Sequence, residues 1–125
     1  MHKLLLVGAG GFVGAVGRYL VAGWMQRLSS RGIFPVGTLS VNLLGCFVIG
    51  LLFGLVERAQ MLGPQSRLFL LVGLVGSFTT FSTFSQETVT LFREGEGVGA
   101  LVNVALHLVI GLLAVLVGDV VSSAL

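Results

Sequence analysis

Four runs of about twenty residues, each nearly free of charge and separated by short polar breaks, decide what this chain can fold into. A bilayer's hydrocarbon core is about 30 Å thick, and a helix rising about 1.5 Å per residue crosses it in roughly 20 residues. The runs fall at about 4–25, 38–56, 67–92 and 98–121, the third with a break near 76–80. Of the 125 residues 55% are hydrophobic and only 10% charged, and the mean hydropathy is +1.06. A soluble domain this short leaves too much surface in water to hide such a composition. The pattern predicts an all-α protein with one four-helix transmembrane domain over residues 1–125, lipid as its solvent, and a multi-pass place in the cell membrane.

The breaks carry recognisable punctuation. Trp24 is placed as an interfacial aromatic before the polar stretch Gln26 to Arg31, and Pro35 closes that loop. Thr38 is a good N-cap for the second run, Glu57-Arg58 and Gly63-Pro64 end it, and the third begins near Arg67. Met1-His2-Lys3 leads into an apolar stretch without a clear cleavage site and reads as part of a retained first span. Nineteen glycines predict close helix packing: Gly10 with Gly14, and Gly50 with Gly54, form small-xxx-small pairs. Cys46, the single cysteine, reads as a small core residue.

Four crossings put Lys3, Arg58 and Arg67 on one side and Arg27, Arg31 and Arg93 on the other. With no bias in Lys and Arg to orient the chain, insertion in both directions is predicted. A chain inserted both ways supplies its own inverted partner, which predicts an antiparallel, dual-topology homodimer with a two-fold axis in the membrane plane.

Several function classes fall away. Seven basic residues scattered over the chain, at a net charge of +2, make no nucleic-acid footprint. Gly8 to Gly14 has the wrong spacing for a dinucleotide fingerprint, and no acid precedes Glu57. Two histidines and five acids, four of the latter at span ends, assemble into neither a catalytic triad nor a metal cluster, so no enzyme is expected.

Polar groups within the apolar runs are the candidates for function. Arg18 either snorkels to the far face or lines a wet, anion-attracting vestibule. Asn42 either donates hydrogen bonds to an anion or ties helices together. His107 reads as a helix–helix hydrogen-bonding residue in an outer wall that is almost wholly aliphatic apart from it and Asn103. The stretch Gly76 to Ser85 differs in kind: glycine followed by dense hydroxyls predicts broken helix, which at membrane depth has to be buried or line a cavity. Phe81 and Phe84 there share a face with hydroxyl neighbours.

Three blocks carry a family resemblance: Gly10 to Ala15 with Arg18-Tyr19, Gly37 to Gly45 with Asn42, and Thr79 to Ser85 with Glu87. Together they resemble the Fluc (CrcB-type) fluoride channels over nearly the whole chain. The resemblance implies passive, fluoride-selective export through two pores per antiparallel homodimer. It implies pore roles for Asn42, Phe81, Phe84, Ser82, Ser85, Thr38, Arg18 and Glu87, and a structural sodium ion at the dimer axis held by the backbone carbonyls of Gly76 and Thr79. Aromatic rings have positive edges, which suits rings to a dehydrated anion. The chain departs from the family pattern at Ser77-Phe78 and at Leu112 and Leu116, where related fourth helices carry hydroxyls. Two other readings compete. A small dual-topology multidrug antiporter needs a buried carboxylate in the first span, where this chain has none; a non-conducting partner subunit is suggested by Leu112 and Leu116.

Overall fold

The computed structural model describes residues 1–29, 32–59 and 62–125, with the side chains of 58 and 59 left aside. Arg31 and the side chain of Arg58, both part of the charge balance above, lie outside what is described. Helix α1 is His2–Leu28 and α2 is Val36–Ala59. Helix α3 covers 64–78, with wide π-helical turns over Leu68–Val75. Helix α4 is Phe81–Arg93, and α5 covers 97–122 with π-helical turns over Leu106–Ile110. Taking α3 and α4 as one span, four helices are long and apolar enough to cross a membrane.

The helix ends follow local chemistry. Helix α2 starts at Val36, earlier than the predicted Thr38, because the Pro35 carbonyl accepts from Leu39 N at 3.1 Å and Gln26 of α1 supplies the cap. Gln26 Oε1 accepts from Gly37 N at 2.9 Å while its Nε2 donates to the Phe34 carbonyl at 3.1 Å. Thr38 is therefore inside the first turn, and its hydroxyl is released for another partner. Pro64 opens α3 rather than closing α2, because its fixed φ and missing N–H suit the first helical position. Helix α4 ends in a Schellman turn: Glu96 N donates to the Leu91 carbonyl at 2.9 Å and Gly95 N to that of Phe92 at 3.3 Å. Gly95 takes the left-handed conformation this requires, with φ +84°.

Glycines set the helix crossings. A Cβ at Gly10 or Gly14 would strike the carbonyl of Phe69 or Leu74 on α3, and one at Gly50 the carbonyl of Val115 on α5. Ser122 closes over Gly54, and Gly118 lies against the Phe47 carbonyl. Both predicted small-residue pairs are thus packing contacts. Contacts advance together from Gly10 with Phe69 to Gly17 with Phe78, so α1 and α3 run in the same direction. They do so again from Phe47 with Gly118 to Gly54 with Ser122, so α2 and α5 also run together. Few side chains are buried within one chain; Val41 and Asn103 are fully enclosed, while Phe12, Tyr19, Trp24, Phe81 and Phe92 are largely exposed.

At Gly118 a β-carbon would also lie 2.8 Å from Leu51 N. Gly118→Val is expected to cost about 1–3 kcal/mol through overpacking. Gly8→Ala, which meets nothing within 4 Å, should not lower stability. Thermal unfolding in detergent, followed by circular dichroism, checks the contrast.

Candidate functional site

At Thr79 and Thr80 the backbone leaves helical conformation, with φ −81°, ψ 158° and φ −150°, ψ 112°. In a continuous helix Thr80 N–H would donate to the Gly76 carbonyl four residues back. Here it donates to Asn42 Oδ1 at 2.8 Å, and Asn42 Nδ2 donates to the Thr80 carbonyl at 3.0 Å. One side-chain amide on α2 thus partners both backbone groups of the interrupting residue. Gly45, one turn further along α2, lets the Thr79 methyl seat where a Cβ would stand. Of Asn42's two open sequence readings, the helix tie is realised; an amide carries two N–H groups, so one remains for another partner.

Helix α4 restarts under its own cap. Thr80 Oγ1 accepts from Thr83 N at 3.2 Å and lies 2.9 Å from Thr83 Oγ1 and 3.3 Å from Ser82 Oγ. Phe81 and Phe84 follow, with ring centroids 5.5 Å apart and planes tilted by 54°. They border a cavity of about 340 Å³ with Asn42, Cys46, Thr79, Thr80 and His107, whose lining holds no Asp, Glu, Lys or Arg.

A second cavity, about 310 Å³, is lined by Arg18, Tyr19, Thr38, Thr80 and Thr83. Arg18 is half-buried there. A third, about 400 Å³, includes Gln26, Thr38, Thr83 and Glu87. Thr38 Oγ1 donates to Glu87 Oε1 at 2.7 Å, and Glu87 Oε2 is buried without a partner. Thr80 is shared by the first two cavities and Thr38 by the last two, so Phe81, Asn42, Arg18 and Glu87 fall on one connected set of walls.

The serines are placed differently. Ser85 Oγ donates to the Phe81 carbonyl at 2.9 Å, which occupies its proton, and Ser82 is exposed. Leu112 and Leu116 are 68% and 61% exposed and do not line the aromatic cavity. His107 bonds within its own helix, Nδ1 lying 2.9 Å from the Asn103 carbonyl, and meets α4 through ring contact with Phe84 at 4.3 Å. Asn103 Nδ2 donates to Thr88 Oγ1 at 2.9 Å, and Thr88 donates to the Phe84 carbonyl at 2.7 Å. This buttress behind Phe84 escaped the sequence reading; its one signal was the four-residue spacing of Asn103 and His107.

Among the described residues no group of three or more His, Cys, Asp or Glu could hold a metal ion. The oxygens that could face a cation are backbone carbonyls. The Gly76 carbonyl has lost the Thr80 N–H, Gly76 is exposed, and the C-terminal end of α3 carries partial negative charge. These carbonyls suit a hard cation such as sodium.

Residues 5–119 match the family described as CrcB-like protein, Camphor Resistance (CrcB). The chain belongs to this family. The fluoride-specific ion channel FluC of Sulfurovum sp. (strain NBC37-1) is 46% identical over 117 residues, covering 94% of this chain and 90% of its own length. The proteins of the same name from Ruminiclostridium cellulolyticum and Rhizobium etli are each 42% identical over 125 residues, covering all of this chain and 95% and 99% of their own lengths. These CrcB relatives carry the name of a channel, which is not an enzyme class. CrcB membership and four membrane-length helices make the chain a multi-pass membrane protein.

Asn42→Leu leaves both backbone groups of buried Thr80 unpaired and should destabilise the protein by roughly 2–6 kcal/mol, at about 1–3 per lost partner. Asn42→Asp keeps an acceptor for Thr80 N–H and should lose less. Chemical unfolding in detergent measures both; equal stability of all three proteins would show that the amide does not hold the interruption.

Proposed function

We propose that the chain is a passive, fluoride-selective channel, working as an antiparallel dual-topology homodimer with two pores and exporting fluoride across the cell membrane. The observation that carries this reading is the Asn42 clamp on Thr80, which sets Phe81 and Phe84 beside an amide in a cavity without formal charge. Fluoride is small and strongly hydrated, so its path has to replace water with donors yet not trap the ion. Ring edges and single N–H groups act as weak, sequential partners of that kind, whereas an ammonium or guanidinium in the narrow part would hold the anion. The relatives' printed name supports fluoride as the ion.

The interruption has two polar ends. The N-terminus of α4 presents partial positive charge beside the aromatic cavity, favourable to an anion. The carbonyl end of α3, with Gly76 and Thr79, suits the proposed structural sodium ion at the dimer axis, which would join two copies by charge without entering transport. Arg18 in its cavity would concentrate anions at one mouth, and Thr38 with Glu87 would form the other polar wall. Ser82 and Ser85 serve as hydroxyl lining once Ser85 rotates away from the Phe81 carbonyl. The partner copy is supported by Phe81, a residue 78% exposed in a single chain.

Proteoliposomes loaded with fluoride and holding the purified protein are expected to release it rapidly on relief of the electrical potential, while chloride stays inside. Phe81→Ile should slow release by an order of magnitude or more. Wild-type liposomes that retain fluoride would refute the proposal, and a single-chain mass in lipid would refute the dimer. Loss of dimer on replacing sodium with a large organic cation tests the metal.

A further inference from the structure

We propose that Asn103 is a positioning residue of the fluoride path: from α5, without touching the ion, it fixes how Phe84 is presented, so that a ring edge rather than a ring face meets the anion. The inference rests on the channel reading above and deepens it by naming what orients one of its rings. Asn103 is fully enclosed and reaches Phe84 in two ways. Its Nδ2 donates to Thr88 Oγ1 at 2.9 Å, and that hydroxyl donates its own hydrogen to the Phe84 carbonyl at 2.7 Å. Its backbone carbonyl, which can only accept, lies 2.9 Å from His107 Nδ1 and so draws the ring hydrogen to that nitrogen. The imidazole tethered there lies against the Phe84 ring, centroids 4.3 Å apart and planes at 40°. The amide thus locks α5 to α4 at Thr88, and the same residue fixes the ring that covers Phe84.

That cover bears on an anion. A phenyl ring is negative over its faces and positive along its rim. At a separation of 4.3 Å two rings cannot meet rim to rim, so the imidazole covers part of a Phe84 face. Phe81, Phe84 and His107 all border the aromatic cavity, and turning a bare face of Phe84 into it would break the contact with α5. Fluoride, the smallest halide, comes nearest to a ring edge and loses most when the edge turns away; chloride loses less.

Packing alone does not account for the amide. Asn103 Oδ1 is buried without a partner, a cost that an aliphatic side chain avoids, and removing both members of a buried polar pair can be close to neutral for stability. What a hydrogen bond adds is direction. His107 stands in the π-helical stretch Leu106–Ile110, where a regular helix no longer sets the ring's place, and the tether to Asn103 does. Neither Asn103 nor Thr88 lines the aromatic cavity, so each acts through Phe84 and His107.

The test measures fluoride and chloride release from proteoliposomes holding equal amounts of folded protein, together with NMR spectra of protein labelled in its phenylalanine rings, Phe84→Leu identifying the Phe84 signal. In wild type that signal should carry a ring-current shift from His107. Asn103→Leu should lose the shift and release fluoride several-fold more slowly, with a smaller ratio of fluoride to chloride release. Thr88→Val removes a single hydroxyl, serves where Asn103→Leu does not fold, and should behave in the same way; Thr88→Ser, which keeps the hydroxyl, should restore both readouts. Variants with wild-type shift and wild-type release per folded protein reduce Asn103 to a structural part and overturn the inference. Slowed release with an unchanged Phe84 shift, or Thr88→Ser as slow as Thr88→Val, does so too. Wild-type liposomes that hold fluoride remove the channel reading instead, and the Phe84 shift in the same samples then decides the positioning by itself.

Discussion

The pairing of Asn42 with both backbone groups of Thr80 is the interaction on which the rest of the structure depends. An apolar surrounding gives a freed N–H or carbonyl no water to turn to, so a helix is interrupted there only where the protein supplies substitutes. Asn42 supplies them from α2, and it reaches because Gly45 admits the Thr79 methyl against the same helix. Once Thr80 is held extended, two consequences follow together. Helix α4 starts afresh under a threonine cap, which aims Phe81 and Phe84, and the Gly76 carbonyl loses the amide that would have silenced it.

Much of this architecture was legible in the sequence because the bilayer imposes a single length scale. Runs at 4–25, 38–56, 67–92 and 98–121 correspond to helices that begin or end a few residues away, since fraying and capping rather than hydropathy set the ends. The glycine pairs were readable for a similar reason: four-residue spacing puts both on one helix face whatever lies opposite. Thr38 was misread as a cap because the competing acceptor, Gln26, comes from another helix. The π-helical turns at Leu68–Val75 and Leu106–Ile110 had no signature, as neither stretch holds a proline and His107 alone among apolar residues sets no periodicity to disturb.

The site was legible through residue types and opaque through pairings. Asn42, Thr79 and Phe81 stood out as polar or clustered groups in apolar runs, yet nothing in the linear order says that residue 42 meets residue 80. Asn103 shows the same limit. A lone amide in an aliphatic helix announces that it has a partner, but Thr88 becomes that partner only when the Schellman turn at Gly95 folds α5 back on α4.

Formal charge is distributed unevenly over the cavities. Arg18 and Glu87 occupy cavities joined through Thr38, while the cavity bounded by the two phenylalanines has no Asp, Glu, Lys or Arg in its lining. In the proposed channel, fixed charge at the approaches would draw ions by long-range attraction, and the same charge in a dry constriction would bind them for too long. A neutral constriction then needs its polarity from dipoles, and the interruption at Thr79 and Thr80 provides a helix end of each sign within a few residues. Those ends lie on a face where Gly76 and Phe81 are exposed in the single chain, so the proposed inverted copy would seal against lipid the very groups that the broken backbone created. Dimerisation and conduction would then share one cause, the interrupted backbone of the third span.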